Sequence, residues 1–205
     1  MVPSEELKGF VLAGGRSRRM GQDKALMRVA GKPLVLRAAE ILRPVVRTVT
    51  LLAPPDRYRT LGLPVLADLW PERGPLAALC TGLVCSDADW NLFLACDLPY
   101  INSKFMELLV RRVRAAHCHA VVPRTRDGWQ PLAAAYHVQC RTIFEAAIHD
   151  GRLSIIDLLE EIQPEAITPG ELAAAGLSGA EFVNVNTPED WARVTAHHPA
   201  HWGEL

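Results

Sequence analysis

Gly9-Phe10-Val11-Leu12-Ala13-Gly14-Gly15-Arg16-Ser17-Arg18-Arg19-Met20-Gly21-Gln22-Asp23-Lys24 begins apolar, breaks at two adjacent glycines and continues basic. An apolar run that stops at a glycine pair reads as a buried strand, here Gly9 to Ala13, ending in a tight turn. Beyond the basic stretch, Leu34, Leu36, Ala38, Ile41 and Leu42 recur at helical spacing. Pro33 opens that helix and Pro44 closes it after Arg43. Strand, loop and helix make one βα unit, and the rest of the chain repeats the alternation.

Thr48 to Leu52 and Pro64 to Ala67 read as strands, and Pro75 to Cys85, with Leu76, Leu79 and Leu83, as a helix. Leu92-Phe93-Leu94-Ala95-Cys96 is apolar on both faces, as a central strand of a parallel sheet covered by helices must be. Phe105, Leu108, Leu109 and Val113 mark a helix, His119 to Val122 and Leu132 to Tyr136 strands, and Val138 to His149 and Ile155 to Glu161 helices. Glu165 to Gly179, rich in Ala, Gly and Pro, reads as a loop with one short helical turn. Phe182 to Val185 is the last expected strand. Pro188 to Ala196 forms a closing helix, with Thr187 as N-cap and Glu189 and Asp190 at its positive end. Residues 197–205 read as a frayed tail. The expectation is one α/β domain over 1–205, a three-layer fold with a mostly parallel sheet and ligands beyond the carboxyl ends of the strands.

Of 205 residues, 49% are apolar and 22% charged, an ordinary globular composition. No apolar run approaches the ~20 residues of a membrane helix, and Met1 to Lys8 lacks the order of a signal peptide, so no membrane and a cytoplasmic location are expected. The five cysteines include no C-x-x-C pair, and four sit among apolar neighbours. The seven histidines read as solvated or locally hydrogen-bonded. Charge is uneven: Arg16, Arg18, Arg19, Lys24, Arg28 and Lys32 face one acid, Asp23, between positions 16 and 32, and the remaining chain is acidic. That pattern points to a small anionic ligand more than to nucleic acid, with a solvated charged face as the alternative.

The basic loop fails the better-known templates. Met20 and Gln22 break G-x-x-x-x-G-K-[ST], and the adjacent glycines break G-x-G-x-x-G. Ser17 lacks the second glycine of G-x-S-x-G. What remains is a glycine pair that lets backbone N–H groups approach a ligand, followed by cations that neutralise a polyphosphate. Asp97 ends the apolar strand and precedes Leu98-Pro99, which suits a carboxylate holding magnesium on substrate phosphates or, equally, one that starts a turn. Asp68, after Val65-Leu66-Ala67, invites the same two readings, and Trp70 beside it reads as loop packing or a stacking platform. In Asn184-Val185-Asn186-Thr187-Pro188-Glu189, strand alternation would put Asn184 and Asn186 on one face toward a polar ligand, unless Asn186 only shapes the turn.

Together these blocks resemble the molybdenum cofactor guanylyltransferase (MobA) family: Leu12 to Gly15, Arg19 to Lys24, Gly74-Pro75-Leu76-Ala77, Cys96 to Pro99 and Asn184 to Glu189 stand in the family's order across nearly the whole chain. Gln130-Pro131-Leu132 and Asp150-Gly151-Arg152 are also similar to family segments. The resemblance implies a Rossmann-like nucleotidyltransferase fold and transfer of GMP from GTP to molybdenum-bearing molybdopterin, with release of pyrophosphate. It implies that Leu12, Ala13, Gly14 and Gly15 contact the nucleotide, that Lys24 contacts its phosphates with Arg19 as helper, and that Asp97 holds Mg2+. Asp68 would lie in the nucleotide site, and Asn184 and Asn186 would face the pterin. Proteins that deliver the pterin or accept the product are further expected partners.

One departure concerns base recognition: where some members carry Asn-x-Asn, this chain reads Leu51-Leu52-Ala53-Pro54-Pro55. The rivals are a cytidylyltransferase on the same pterin, whose loop more often begins LAAG, a sugar-phosphate nucleotidyltransferase, and a non-catalytic nucleotide binder. Intact Lys24 and Asp97 argue against the last.

Overall fold

The computed structural model describes residues 4–14 and 23–196. In chain order the elements are β1 (Ser4–Leu12), β2 (Arg28–Val29), β3 (Lys32–Pro33), α1 (Leu34–Leu42), β4 (Val46–Leu52), α2 (Pro55–Tyr58), β5 (Val65–Leu66), α3 (Pro75–Val84), β6 (Trp90–Ala95), α4 (Ser103–Arg114), β7 (Ala120–Thr125), β8 (Gly128–Trp129), β9 (Ala133–His137), α5 (Cys140–His149), α6 (Ile155–Ile162), β10 (Glu165–Ile167), α7 (Pro169–Ala174) and α8 (Pro188–Ala196). The sheet order is β10-β7-β9-β6-β1-β4-β5, with β8 paired to β7 and a separate β2–β3 ribbon. β1 is parallel to β4 and β6, β4 to β5, and β10 to β7; β9 runs antiparallel to both β6 and β7.

Alternation along each strand builds two cores, one per face. Val11, Leu92, Leu94, Val121, Ala133 and Ala135 pack with α1, α4 and Leu172 of α7. Phe10, Leu12, Phe93, Val122, Ala134 and Tyr136 point the other way and pack with α3, α5 and α6. The result is the three-layer α/β arrangement that the two-faced apolar strands demand. At the centre of the second face, Phe93 stacks on Phe10 with ring centroids 5.1 Å apart and meets Tyr136 edge-on at 5.9 Å. Among the described residues no helix is long and apolar enough to cross a membrane. Cys80, Cys96 and Cys140 are buried, Cys118 is half-buried and Cys85 exposed; none of the five forms a disulfide.

Two segments differ from the sequence expectation. Phe182 to Val185 is not a strand: Ala180–Phe182 forms a 3-10 turn, and the following residues stay outside the sheet. Gly179, at φ 94°, turns the chain, Phe182 docks edge-on against Phe105 at 4.9 Å, and the segment crosses the carboxyl end of β6, where the Val185 amide donates to the Asp97 carbonyl at 3.0 Å. Glu165 to Gly179 holds more order than a loop. β10 extends the sheet beside β7, and α7 is nucleated by a capping box in which Thr168 and Glu171 satisfy each other's backbone N–H groups. The closing helix begins as expected, with Thr187 Oγ1 accepting the Asp190 amide at 3.1 Å. The expected tail, 197–205, lies outside the described residues.

Candidate active site

From β1 the chain steps outward to β4 and β5, then returns through α3 to β6 on the other side of β1. Strand order therefore reverses between β1 and β6, and a crevice opens there beyond the carboxyl ends, the usual ligand position in such sheets. Register sets what lines it. Leu12 pairs with Ala95 on one side and Leu52 on the other, and Leu52 pairs with Leu66. Two residues past these positions stand Gly14, Asp97, Pro54 and Asp68.

Three of the residues singled out in sequence meet in that crevice. The Lys24 ammonium donates to Asp97 Oδ2 at 2.8 Å and to Asn186 Oδ1 at 3.0 Å, although Asn186 is 162 positions away in sequence. Lys24 is presented by a 3-10 turn, Lys24–Leu26, that Asp23 caps by accepting the Ala25 amide. Asp97 is fixed by the end of β6: the Cys96 amide donates to the Leu12 carbonyl at 3.1 Å, and the Asp97 carbonyl accepts the Val185 amide. Asn186 is fixed by α8, where its backbone N–H and that of Thr187 both donate to Asp190 Oδ2 at 3.0 Å. Those donors, the Asn186 amide foremost, hold the Asp190 carboxyl below its usual range.

The second Asp97 oxygen, Oδ1, is buried and has no hydrogen-bond partner among the described residues. An unsatisfied buried carboxylate oxygen at a strand end is costly, and a divalent cation is one group that satisfies it. The described residues hold no cluster of three or more His, Cys, Asp or Glu side chains able to cage a metal. A single carboxylate fits magnesium, which is commonly held by one or two carboxylates with the remaining positions left to substrate phosphates and water.

The other expected site residues separate. Leu12 and Ala13 are buried and Gly14 is exposed at the crevice mouth, with the Ala13 amide donating to the Leu52 carbonyl at 3.1 Å. Gly15 and Arg19, with the rest of 15–22, lie outside the described residues. Asp68 stands three strands from Asp97, roughly 14 Å at the usual strand spacing, too far to share one ion with it. Its Oδ1 accepts the Trp70 amide at 2.9 Å and the Thr81 hydroxyl at 3.0 Å, the bonding of a turn aspartate. Trp70 is half-buried against the second core. With no strand at 182–185, strand alternation cannot be what orients the two asparagines. Asn186 reaches Lys24, whereas Asn184 lines a cavity of about 370 Å³ with Tyr100, Asn102, Val183, Val194 and Arg193, a volume within the range of small-molecule sites. Sequence reading passed over Tyr58, whose hydroxyl sits beneath this site.

Residues 9–164 match the model of the MobA-like NTP transferase domain. A protein of Synechococcus elongatus named "Probable molybdenum cofactor guanylyltransferase" is 37% identical over 191 residues, covering 89% of this chain and 94% of its own. One of the same name from Trichormus variabilis is 34% identical, covering 91% and 89%. Among solved structures, molybdopterin-guanine dinucleotide biosynthesis protein A of Archaeoglobus fulgidus superposes with a TM-score of 0.80 at 25% identity, covering 92% of this chain and 97% of its own.

Proposed function

Because the chain belongs to the family of MobA-like NTP transferases, we propose that it transfers GMP from GTP to molybdenum-bearing molybdopterin, releasing pyrophosphate. The observation that carries the chemistry is the Lys24 ammonium gathered with Asp97 and Asn186 at the β1–β6 crevice. The relatives' names carry the nucleotide and the acceptor.

In this reading the terminal phosphate of the pterin attacks the α-phosphorus of GTP. One O–P bond forms, the bond to the bridging oxygen of pyrophosphate breaks, and the electron pair leaves with pyrophosphate. The attacking oxygen is already anionic, so no side chain has to remove a proton, and catalysis rests on positioning and charge neutralisation. Lys24 supplies a compact positive charge to the phosphates. Leu12, Ala13 and Gly14 would form the floor beneath the nucleotide; Gly15, outside the described residues, would contact it too, and Arg19, also outside them, would help Lys24 at the phosphates. Asp97 would hold Mg2+, which when bound neutralises phosphate charge. Asn186, and Asn184 with the cavity it lines, would face the pterin acceptor. Ala53 and Pro54 offer no amide side chain at the end of β4, so guanine has to be read by other groups.

The test is pyrophosphate release by the purified chain with magnesium and molybdopterin, comparing GTP, CTP, ATP and UTP. Pterin-dependent release with GTP, lost in Asp97→Ala, supports the reading. Release with another nucleotide alone overturns the substrate, and no pterin-dependent release with any of the four overturns the acceptor.

A further inference from the structure

Tyr58 ends α2 and is 1% exposed, its ring packed into the core beneath β1 and β4. A phenol buried so deeply needs a partner for its hydroxyl. It has two acceptors within reach: the Ala13 carbonyl at 3.1 Å and Asp23 Oδ2 at 2.8 Å. The hydroxyl carries one proton, and the shorter, charged acceptor is Asp23. Burial first, then the Asp23 hydrogen bond and charge, push Tyr58 above the ordinary phenol range, so the proton stays on the oxygen. The other Asp23 oxygen accepts the Ala25 amide at 3.1 Å and caps the turn that presents Lys24. Arg57, 4.0 Å from Asp23 and mostly exposed, adds little to that hold. Tyr58 thus holds Asp23, Asp23 caps the turn through the Ala25 amide, and from that turn the Lys24 side chain reaches Asp97 and Asn186.

We infer that Tyr58 is a positioning residue for Lys24, acting through the Asp23 carboxylate and fixing where the ammonium meets the nucleotide phosphates. The last clause rests on the function proposed above; the positioning itself does not. Pro54 as N-cap and Pro55 at the first turn start α2, whose last residue is Tyr58.

Tyr58→Phe keeps the ring and deletes the hydroxyl. The first readout uses no nucleotide: the rate at which acetic anhydride acetylates Lys24, followed by mass spectrometry against the exposed Lys104. The variant is expected to raise the Lys24 rate threefold or more, and an unchanged rate overturns the inference. Asp23→Ala, a change at a partly exposed position, supplies the same reading should Tyr58→Phe fold poorly. It is expected to raise the rate as much, and adding Tyr58→Phe to it is expected to raise it no further; a full additional rise contradicts action through Asp23. The second readout is GTP affinity with magnesium. Tyr58→Phe is expected to weaken it about tenfold in the parent and less than twofold in a Lys24→Ala background. Equal weakening in both backgrounds means a merely structural role and overturns the inference. A parent chain that binds no GTP overturns the proposed function instead, and the acetylation rates then still decide the positioning role.

Discussion

Replacing Asp97 by alanine should remove the reaction and leave the fold, and the geometry sets both sizes. The Asp97 side chain is 22% exposed and pairs with Lys24, itself 15% exposed, at 2.8 Å. Exposed pairs contribute about 0–1 kcal/mol and breaking a fully buried one costs about 3–5 kcal/mol, so this intermediate pair should cost about 1–2 kcal/mol. In a chain of this size each kcal/mol lowers the melting temperature by about 2–4 °C, giving a fall of roughly 2–8 °C. The chemical loss is larger. Without the carboxylate that would hold the cation on the phosphates, turnover should drop on the order of 10³-fold, about 4 kcal/mol of transition-state stabilisation. Pyrophosphate release and thermal melting on one preparation give both numbers, and residual turnover should no longer respond to magnesium. A variant that keeps turnover within tenfold of the parent refutes the assignment of Asp97. One that melts more than ~15 °C lower refutes the claim that its role is chemical rather than structural.

Gly82 lies where α3 meets Phe93: a Cβ there would stand 2.5 and 2.8 Å from two ring atoms held by Phe10 and Tyr136. Gly82→Ala should cost about 2–3 kcal/mol in a urea denaturation, and parent-like stability would show that the ring can yield. Lys24→Arg keeps the charge but replaces a compact ammonium with a planar fork, so kcat/KM for the nucleotide should fall about tenfold or more, and full activity would contradict the tight fit at Asp97 and Asn186. Asp190 and Glu171 are both held below their ordinary values of 3.8 and 4.5, chiefly by the backbone N–H groups of Asn186 and Thr168 respectively. A depressed value means that their stabilising effect is complete above those ordinary values and is lost as pH falls through the folded-state ones. Melting temperature should therefore decline below about pH 4, and Asp190→Asn combined with Glu171→Gln should melt lower at pH 7 with a shallower acid limb; parallel limbs would count against this origin of acid sensitivity.

Strands buried on both faces announced themselves, since Gly9 to Ala13 and Leu92 to Cys96 are apolar without interruption and end in a glycine pair and an aspartate. Helices with one apolar face, such as α1 and α4, were as legible. β10 was not, because three residues are too few to show a period, and its place beside β7 comes from the sheet rather than from its own sequence. Phe182 to Val185 misled for the opposite reason: Phe182 and Val185 are buried, but in separate clusters and not along a strand. At the site, Asp97 was visible because it ends an apolar strand, and Lys24 as one cation of a basic stretch whose phosphate role the family resemblance implied. The bond from Lys24 to Asn186, and that from Thr81 of α3 to Asp68, depend on packing between elements that no local pattern encodes. Tyr58 is a lone aromatic in a Pro- and Arg-rich stretch, and only its depth beneath Ala13 and Asp23 gives it meaning.

Transfer of label from GTP to the pterin bears most directly on the function. The purified chain would be incubated with magnesium, molybdenum-bearing molybdopterin and GTP labelled at the α-phosphorus, and the products separated by chromatography. Label should move into a pterin dinucleotide in step with pyrophosphate release and fail to move in Asp97→Ala. Label that stays with GTP, or that moves from CTP and not from GTP, would contradict guanylyl transfer by this chain.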